Sequence, residues 1–109
     1  QIHFLYTGQD PSEIPRDVTH ARIDPSVTTI GERAFYDCEQ LERVELYQGL
    51  VEIKDRAFRN CIRLRCIALP STVKSIDDSA FRNCESLTEV RLSDDGLVQI
   101  GWGAFHGCK

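Results

Sequence analysis

Five cysteines and three histidines are the residues of this 109-residue chain with the most capacity for covalent, redox or metal chemistry. Cys38, Cys61, Cys84 and Cys108 recur at intervals of 23, 23 and 24 residues. A zinc site needs ligands converging on one point, usually opened by a C-x-x-C pair, and there is none. Even spacing instead puts the four thiols at one position of a repeating unit. There they form a ladder of small, readily buried side chains able to make weak bonds to backbone inside a tight bend, with disulfides as the alternative. Cys66 is out of phase and projects from a strand between Arg43 and Glu89; a nearby guanidinium would lower its pKa, but a bystander thiol is expected. His3, His20 and His106 are scattered, with no nucleophile placed beside them by the repeat, and no Gly-rich phosphate loop appears. These residues predict no catalytic group, no metal and no cofactor.

The elements that position the thiols repeat with them. Ile30, Ile53, Ile76 and Ile100 open successive units, Ala34, Ala57, Ala80 and Ala104 follow, and then Phe35, Phe58, Phe81 and Phe105. Within each complete unit the motif ends in Leu-x-x-aliphatic-x-Leu: Leu41, Val44, Leu46; Leu64, Ile67, Leu69; Leu87, Val90, Leu92. A fixed period of this length marks a solenoid, because one unit cannot bury its apolar face alone. Its six or so large apolar residues are worth ~1.5 to 3 kcal/mol each on burial, against ~1 to 2 kcal/mol per residue for ordering the backbone. The fold class expected is an α/β solenoid, a right-handed superhelix. The Leu-x-x-aliphatic-x-Leu segments build a parallel sheet on its inner face, with short helices or extended turns on the outer face. Residues 1–17 read as an N-terminal cap, with a strand through Ile2, Phe4 and Tyr6. Residues 18–109 read as the solenoid, divided into a partial unit 18–29, units 30–52, 53–75 and 76–99, and an incomplete unit 100–109. Asp37, Asn60, Asn83 and Gly107 precede the ladder cysteines and suit a helix end. The acidic turn over 93–96 is a poor calcium cage. With no Met and no strand after Cys108, the chain reads as processed or as a segment of something longer.

Net charge is 13 minus 17, or −4, which argues against nucleic acid as a general partner. Its distribution alternates: two basic and six acidic residues over 30–52, six and one over 53–75, two and six over 76–99. Stacked in order, such units place Glu42 over Arg65 and Lys54 over Asp77, pairs worth ~0 to 1 kcal/mol each on a surface. No apolar run is long enough to span a membrane, so direct insertion is not expected. Reduced thiols fit an intracellular or shielded compartment better than an oxidising one.

Strand alternation turns Val44 and Leu46 inward and their neighbours outward. Two surface columns follow on the sheet, His20, Arg43, Cys66, Glu89 and Arg22, Glu45, Ala68, Arg91, with Tyr47 at their edge. Tyr36, Arg59, Arg82 and His106 line the outer turn, with Arg56, Arg63 and Arg65 near them as a basic band. Trp102 stands where earlier units carry Glu32, Asp55 and Asp78, so it either covers the end of the stack or touches a partner.

The pattern I-G-x-x-A-F-x-x-C-x-x-L-x-x-V-x-L resembles the BspA-type leucine-rich repeat from Val18 to Cys108. The resemblance implies a ligand-binding scaffold without catalysis, whose exposed sheet is the usual binding face. The expected function is therefore a noncatalytic protein–protein interaction module. The alternative is a structural or accessory subunit packed within a larger assembly, its C-terminal end continued or covered by another chain.

Overall fold

In the computed structural model, which describes residues 1–92 and 99–108, the chain winds as a stack of coils in which each repeat position lies over its copy. The rings of Phe35, Phe58, Phe81 and Phe105 are nearly parallel, with successive centroids 5.3, 5.1 and 5.3 Å apart and interplanar angles of 5°, 4° and 0°. Parallel rings at that separation are offset, as the ring quadrupole favours. Ile30, Ile53 and Ile76 are buried beside this column, as are Leu41, Leu64 and Leu87. The acidic turn over 93–96 and the apolar position Leu97 lie outside the described residues.

Every strand pairing is parallel. On one side run β1 (His3–Tyr6), β2 (His20–Ile23) and β4 (Arg43–Glu45), then separately β6 (Cys66–Ala68) and β8 (Glu89–Arg91). A second sheet joins β3 (Thr29–Ile30), β5 (Glu52–Ile53), β7 (Ser75–Ile76) and β9 (Gln99–Ile100) without interruption. In β1, Phe4 and Tyr6 lean on Phe35 with centroids 6.5 and 5.5 Å away, and the Tyr6 hydroxyl accepts a hydrogen bond from Gly31 N–H at 3.0 Å.

The outer side is made of turns. Among the described residues the only helical segment is a single 3-10 turn, Pro11–Glu13. In the Ala-Phe segment, alternate main-chain donors do different work. Ala34, Tyr36 and Cys38 N–H bond back three residues to Gly31, Arg33 and Phe35, while Arg33, Phe35 and Asp37 N–H reach the carbonyls of Asp55, Ala57 and Arg59 in the next coil. This geometry needs left-handed backbone at two places per coil, found at Arg33 and Asp37, Arg56 and Asn60, and Ser79 and Asn83. Asp and Asn tolerate that region better than most residues. Their side chains also bond along the stack, Asn60 Nδ2 to Asp37 Oδ1 at 2.6 Å and Asn83 Nδ2 to Asn60 Oδ1 at 3.1 Å. Asp37, Asn60 and Asn83 therefore sit at a turn's left-handed corner and not at a helix end.

The thiols of Cys61, Cys84 and Cys108 donate to the carbonyls of Phe35, Phe58 and Phe81 at 3.3, 3.1 and 3.1 Å, a ladder of free cysteines. At the N-terminal end Cys38 Sγ reaches the Pro15 carbonyl at 3.9 Å, and a side chain replaces the main-chain donors. Arg16 donates from Nη2 to the Ala34 carbonyl at 2.9 Å and from Nη1 to that of Tyr36, so its guanidinium stands in for the N–H groups of a preceding coil.

Two expectations change. The three ion pairs among the described residues, Arg33–Glu32, Lys54–Glu52 and Arg91–Glu89, each lie within one coil, so neither Glu42–Arg65 nor Lys54–Asp77 forms. Long exposed side chains find a partner one or two residues away more readily than one across the stack. In the last described coil, Leu92 and Ile100 are 55% and 54% exposed. They have a neighbouring coil on one side only.

Candidate functional site

A hollow of about 940 Å³ lies on the sheet side where β4 meets β6. Seven of the nine sheet residues singled out from the sequence line it: His20, Arg43, Glu45, Tyr47, Cys66, Ala68 and Arg91. Arg22 borders a smaller adjoining hollow of about 380 Å³ with His3 and His20. Glu89 pairs with Cys66 in register and holds the Arg91 guanidinium. The parallel register produces both columns, since it sets His20 against Arg43 and Arg22 against Glu45. β1 lengthens the first: His3 stacks on His20 with ring centroids 4.9 Å apart, and Thr19 Oγ1 lies 2.9 Å from His20 Nδ1. Tyr47 Oη donates to Glu45 Oε2 at 2.7 Å, and that bond raises the phenol's pKa above its ordinary value.

The hollow coincides with a break in the main-chain ladder. Glu42 and Arg43 N–H donate to the Thr19 carbonyl, and Thr88 and Glu89 N–H donate to the Arg65 carbonyl. By the repeat, Arg65 and Cys66 N–H should donate to Glu42. Those bonds are absent, and β4 and β6 belong to separate sheets. Nearby the same two coils are tied by side chains: Thr72 Oγ1 accepts from Gly49 N–H at 3.0 Å and donates to the Leu50 carbonyl at 2.7 Å.

Arg63 and Arg65 line this hollow and do not join a basic band on the outer turn. They follow the Cys61 bend, where the chain has already swung toward the sheet. Among the described residues neither they nor Arg43 takes part in an ion pair. On the outer turn, Arg59 lies over the Tyr36 ring at 5.8 Å, and the buried Nε atoms of Arg59 and Arg82 have no hydrogen-bond partner. His106 is exposed, and Trp102 is 77% exposed with its main-chain N–H donating to Asp78 Oδ1 at 2.7 Å.

The thiols divide by environment. Burial pushes Cys38 up to about 11, and Cys108 is raised by its contact with Cys84 and then by burial. A thiol held protonated is a poor nucleophile and a poor ligand. Cys66 is half-buried in the hollow. Among the described residues no three His, Cys, Asp or Glu side chains gather as a metal site, and no helix is long and apolar enough to cross a membrane.

The model of the BspA type leucine rich repeat region (6 copies) matches residues 15–109. Among solved structures, a leucine-rich repeat protein from Bacteroides ovatus ATCC 8483 is similar at 31% identity and a TM-score of 0.77, over 83% of this chain and 23% of that one. The T. pallidum leucine rich repeat protein is similar at 31% identity and a TM-score of 0.80, over 96% of this chain and 47% of that one. The pneumococcal vaccine antigen PcpA, 19% identical with a TM-score of 0.71 over 99% of this chain and 34% of that one, shares the fold. The chain thus spans less than half the length of each solved relative. Among curated proteins none matches.

Proposed function

Since this chain belongs to the BspA-type leucine-rich repeat family, whose solenoids serve commonly as protein-interaction scaffolds, we propose that it is a noncatalytic module binding a protein partner on its sheet side. The observation that carries the reading is the hollow at β4 and β6, where both outward columns and Tyr47 converge on one concave surface. A protein interface needs a recessed centre with an aromatic anchor and a polar rim, and Tyr47, Arg43 and Arg91 supply these residue types. The test is site-specific photo-crosslinking from Tyr47 and Ala68 on the sheet side against Tyr36 and His106 on the turn side, in extract of the native source. Adducts confined to the first pair are expected. Adducts from the turn positions alone would refute the assignment.

A second reading is favoured by a different observation. Leu92, Ile100 and Trp102 are all exposed in the last described coil, an apolar surface suited to a covering chain in a larger assembly. Light scattering separates the two: an interaction module stays monodisperse alone, whereas a lodged subunit self-associates until Trp102→Glu relieves it.

A further inference from the structure

We propose that the hollow between β4 and β6 receives an acidic, extended polypeptide segment of the partner. The inference rests on the sheet-side reading above and adds the chemistry of what binds. Four guanidinium groups line the hollow, those of Arg43, Arg63, Arg65 and Arg91, against the carboxylates of Glu42 and Glu45. The chain as a whole carries −4, so this excess of positive charge is local and opposite in sign to the molecule. Glu45 is already held by Tyr47, and Arg91 by Glu89. That leaves Arg43, Arg63 and Arg65 outside every ion pair among the described residues. Guanidinium groups in this state recognise carboxylates in paired, directional contacts.

The ladder break decides for a polypeptide over another anion. At the break, Arg65 and Cys66 N–H lack the Glu42 carbonyl that the repeat assigns them, and that carbonyl lacks its donors. Two donors and an acceptor in one place match a peptide main chain, which offers both, as in strand-edge recognition. A sulfated or phosphorylated glycan donates only from its remaining hydroxyls, which lack the regular donor–acceptor alternation of a peptide main chain. The acidic side chains then sit on the guanidinium groups while the segment's backbone passes over the break, since β4 and β6 lie too close for a strand between them.

The experiment uses the whole chain and a fluorescein-labelled octaglutamate peptide, with anisotropy read at about 50 and about 200 mM salt. The wild type binds the peptide, more weakly at the higher salt. Arg63→Glu with Arg65→Glu weakens binding at least about tenfold, while Arg59→Glu with Arg82→Glu on the turn side leaves it within about twofold; circular dichroism confirms that both variants fold. A backbone N-methylated octaglutamate, which cannot donate to Glu42, binds several-fold more weakly than its parent. No binding by the wild type, or equal loss in both double variants, overturns the proposal. So does unchanged affinity of the N-methylated peptide, or a heparin octasaccharide that needs Arg63 and Arg65 where the peptide does not. If crosslinks from Tyr47 to the natural partner persist in Arg63→Glu/Arg65→Glu, the sheet-side reading stands and only its acidic chemistry falls.

Discussion

Truncating Phe58 tests whether the stacked aromatic column holds the coils together. Its ring is fully buried and covered on both faces, by Phe35 at 5.3 Å and Phe81 at 5.1 Å. Replacing a buried Phe by Ala costs ~3–5 kcal/mol through lost burial and the cavity left behind. Phe105 is half-buried and touches one ring of the column, Phe81, so Phe105→Ala should cost about half as much, ~1.5–2.5 kcal/mol. Domains of this size are stable by only ~5–15 kcal/mol, so the central change removes a large share. With a urea slope of ~1–3 kcal/mol per molar, Phe58→Ala lowers the midpoint by about 2 M. Circular dichroism reports the sheets, and fluorescence of Trp102, the one Trp in the chain, reports the last described coil. In a nearest-neighbour stack, loss at the centre uncouples two interfaces and loss at the end uncouples one. A cost for Phe105→Ala equal to or above that for Phe58→Ala would refute this reasoning, as would a cost below about 1 kcal/mol for Phe58→Ala.

Arg16→Ala leaves the Ala34 and Tyr36 carbonyls without their donor and should destabilise the protein by ~1–2 kcal/mol in the same urea titration. Arg16→Lys, with one nitrogen in place of a fork, recovers only part of that loss. Brief iodoacetamide labelling at neutral pH, read by mass spectrometry, should mark Cys66 first and leave Cys38, Cys61 and Cys84 unmodified until the protein unfolds. Alkali should destabilise the fold through Cys38. Its thiol titrates near 9.0 when free and at about 11 when folded. The stabilisation is therefore complete below pH 9 and lost as pH rises to about 11, amounting to at most ~2 kcal/mol given partial solvent contact. Melting curves across that range should flatten in Cys38→Ala.

The repeat is legible in the sequence because stacking demands near-identical residues at one phase. Phe and Cys recur every 23 or 24 positions, and the structure places each over the last. The choice between helix and turn outside is harder to read, since Ala, Phe and charged residues tolerate both. The signal lies in Asp37, Asn60, Asn83 and Gly107, residue types that accept left-handed backbone. The break between β4 and β6 leaves no trace in residue type: Leu41-x-x-Val44-x-Leu46 and Leu64-x-x-Ile67-x-Leu69 have the same pattern, and what is missing is main-chain bonding. Arg63 and Arg65 escaped assignment to the sheet side because period-two alternation begins only inside a strand, and both precede Cys66. Nothing about an isolated Arg16 marks it as a donor to the Ala34 and Tyr36 carbonyls 18 and 20 residues away.

The main-chain bonds between successive Ala-Phe turns run one way. Arg33, Phe35 and Asp37 give to the coil above, Arg56, Phe58 and Asn60 do the same, and so do Ser79, Phe81 and Asn83. Their peptide dipoles add along the axis as they do in a helix, leaving a carbonyl pole at one end, where the cationic Arg16 sits, and an N–H pole at Gly103, Phe105 and Gly107. The column thus has a head and a tail. Two like poles brought together by a twofold axis would set donors against donors, so lengthening along this axis proceeds only by translation, tail onto head, with every added layer facing the same direction.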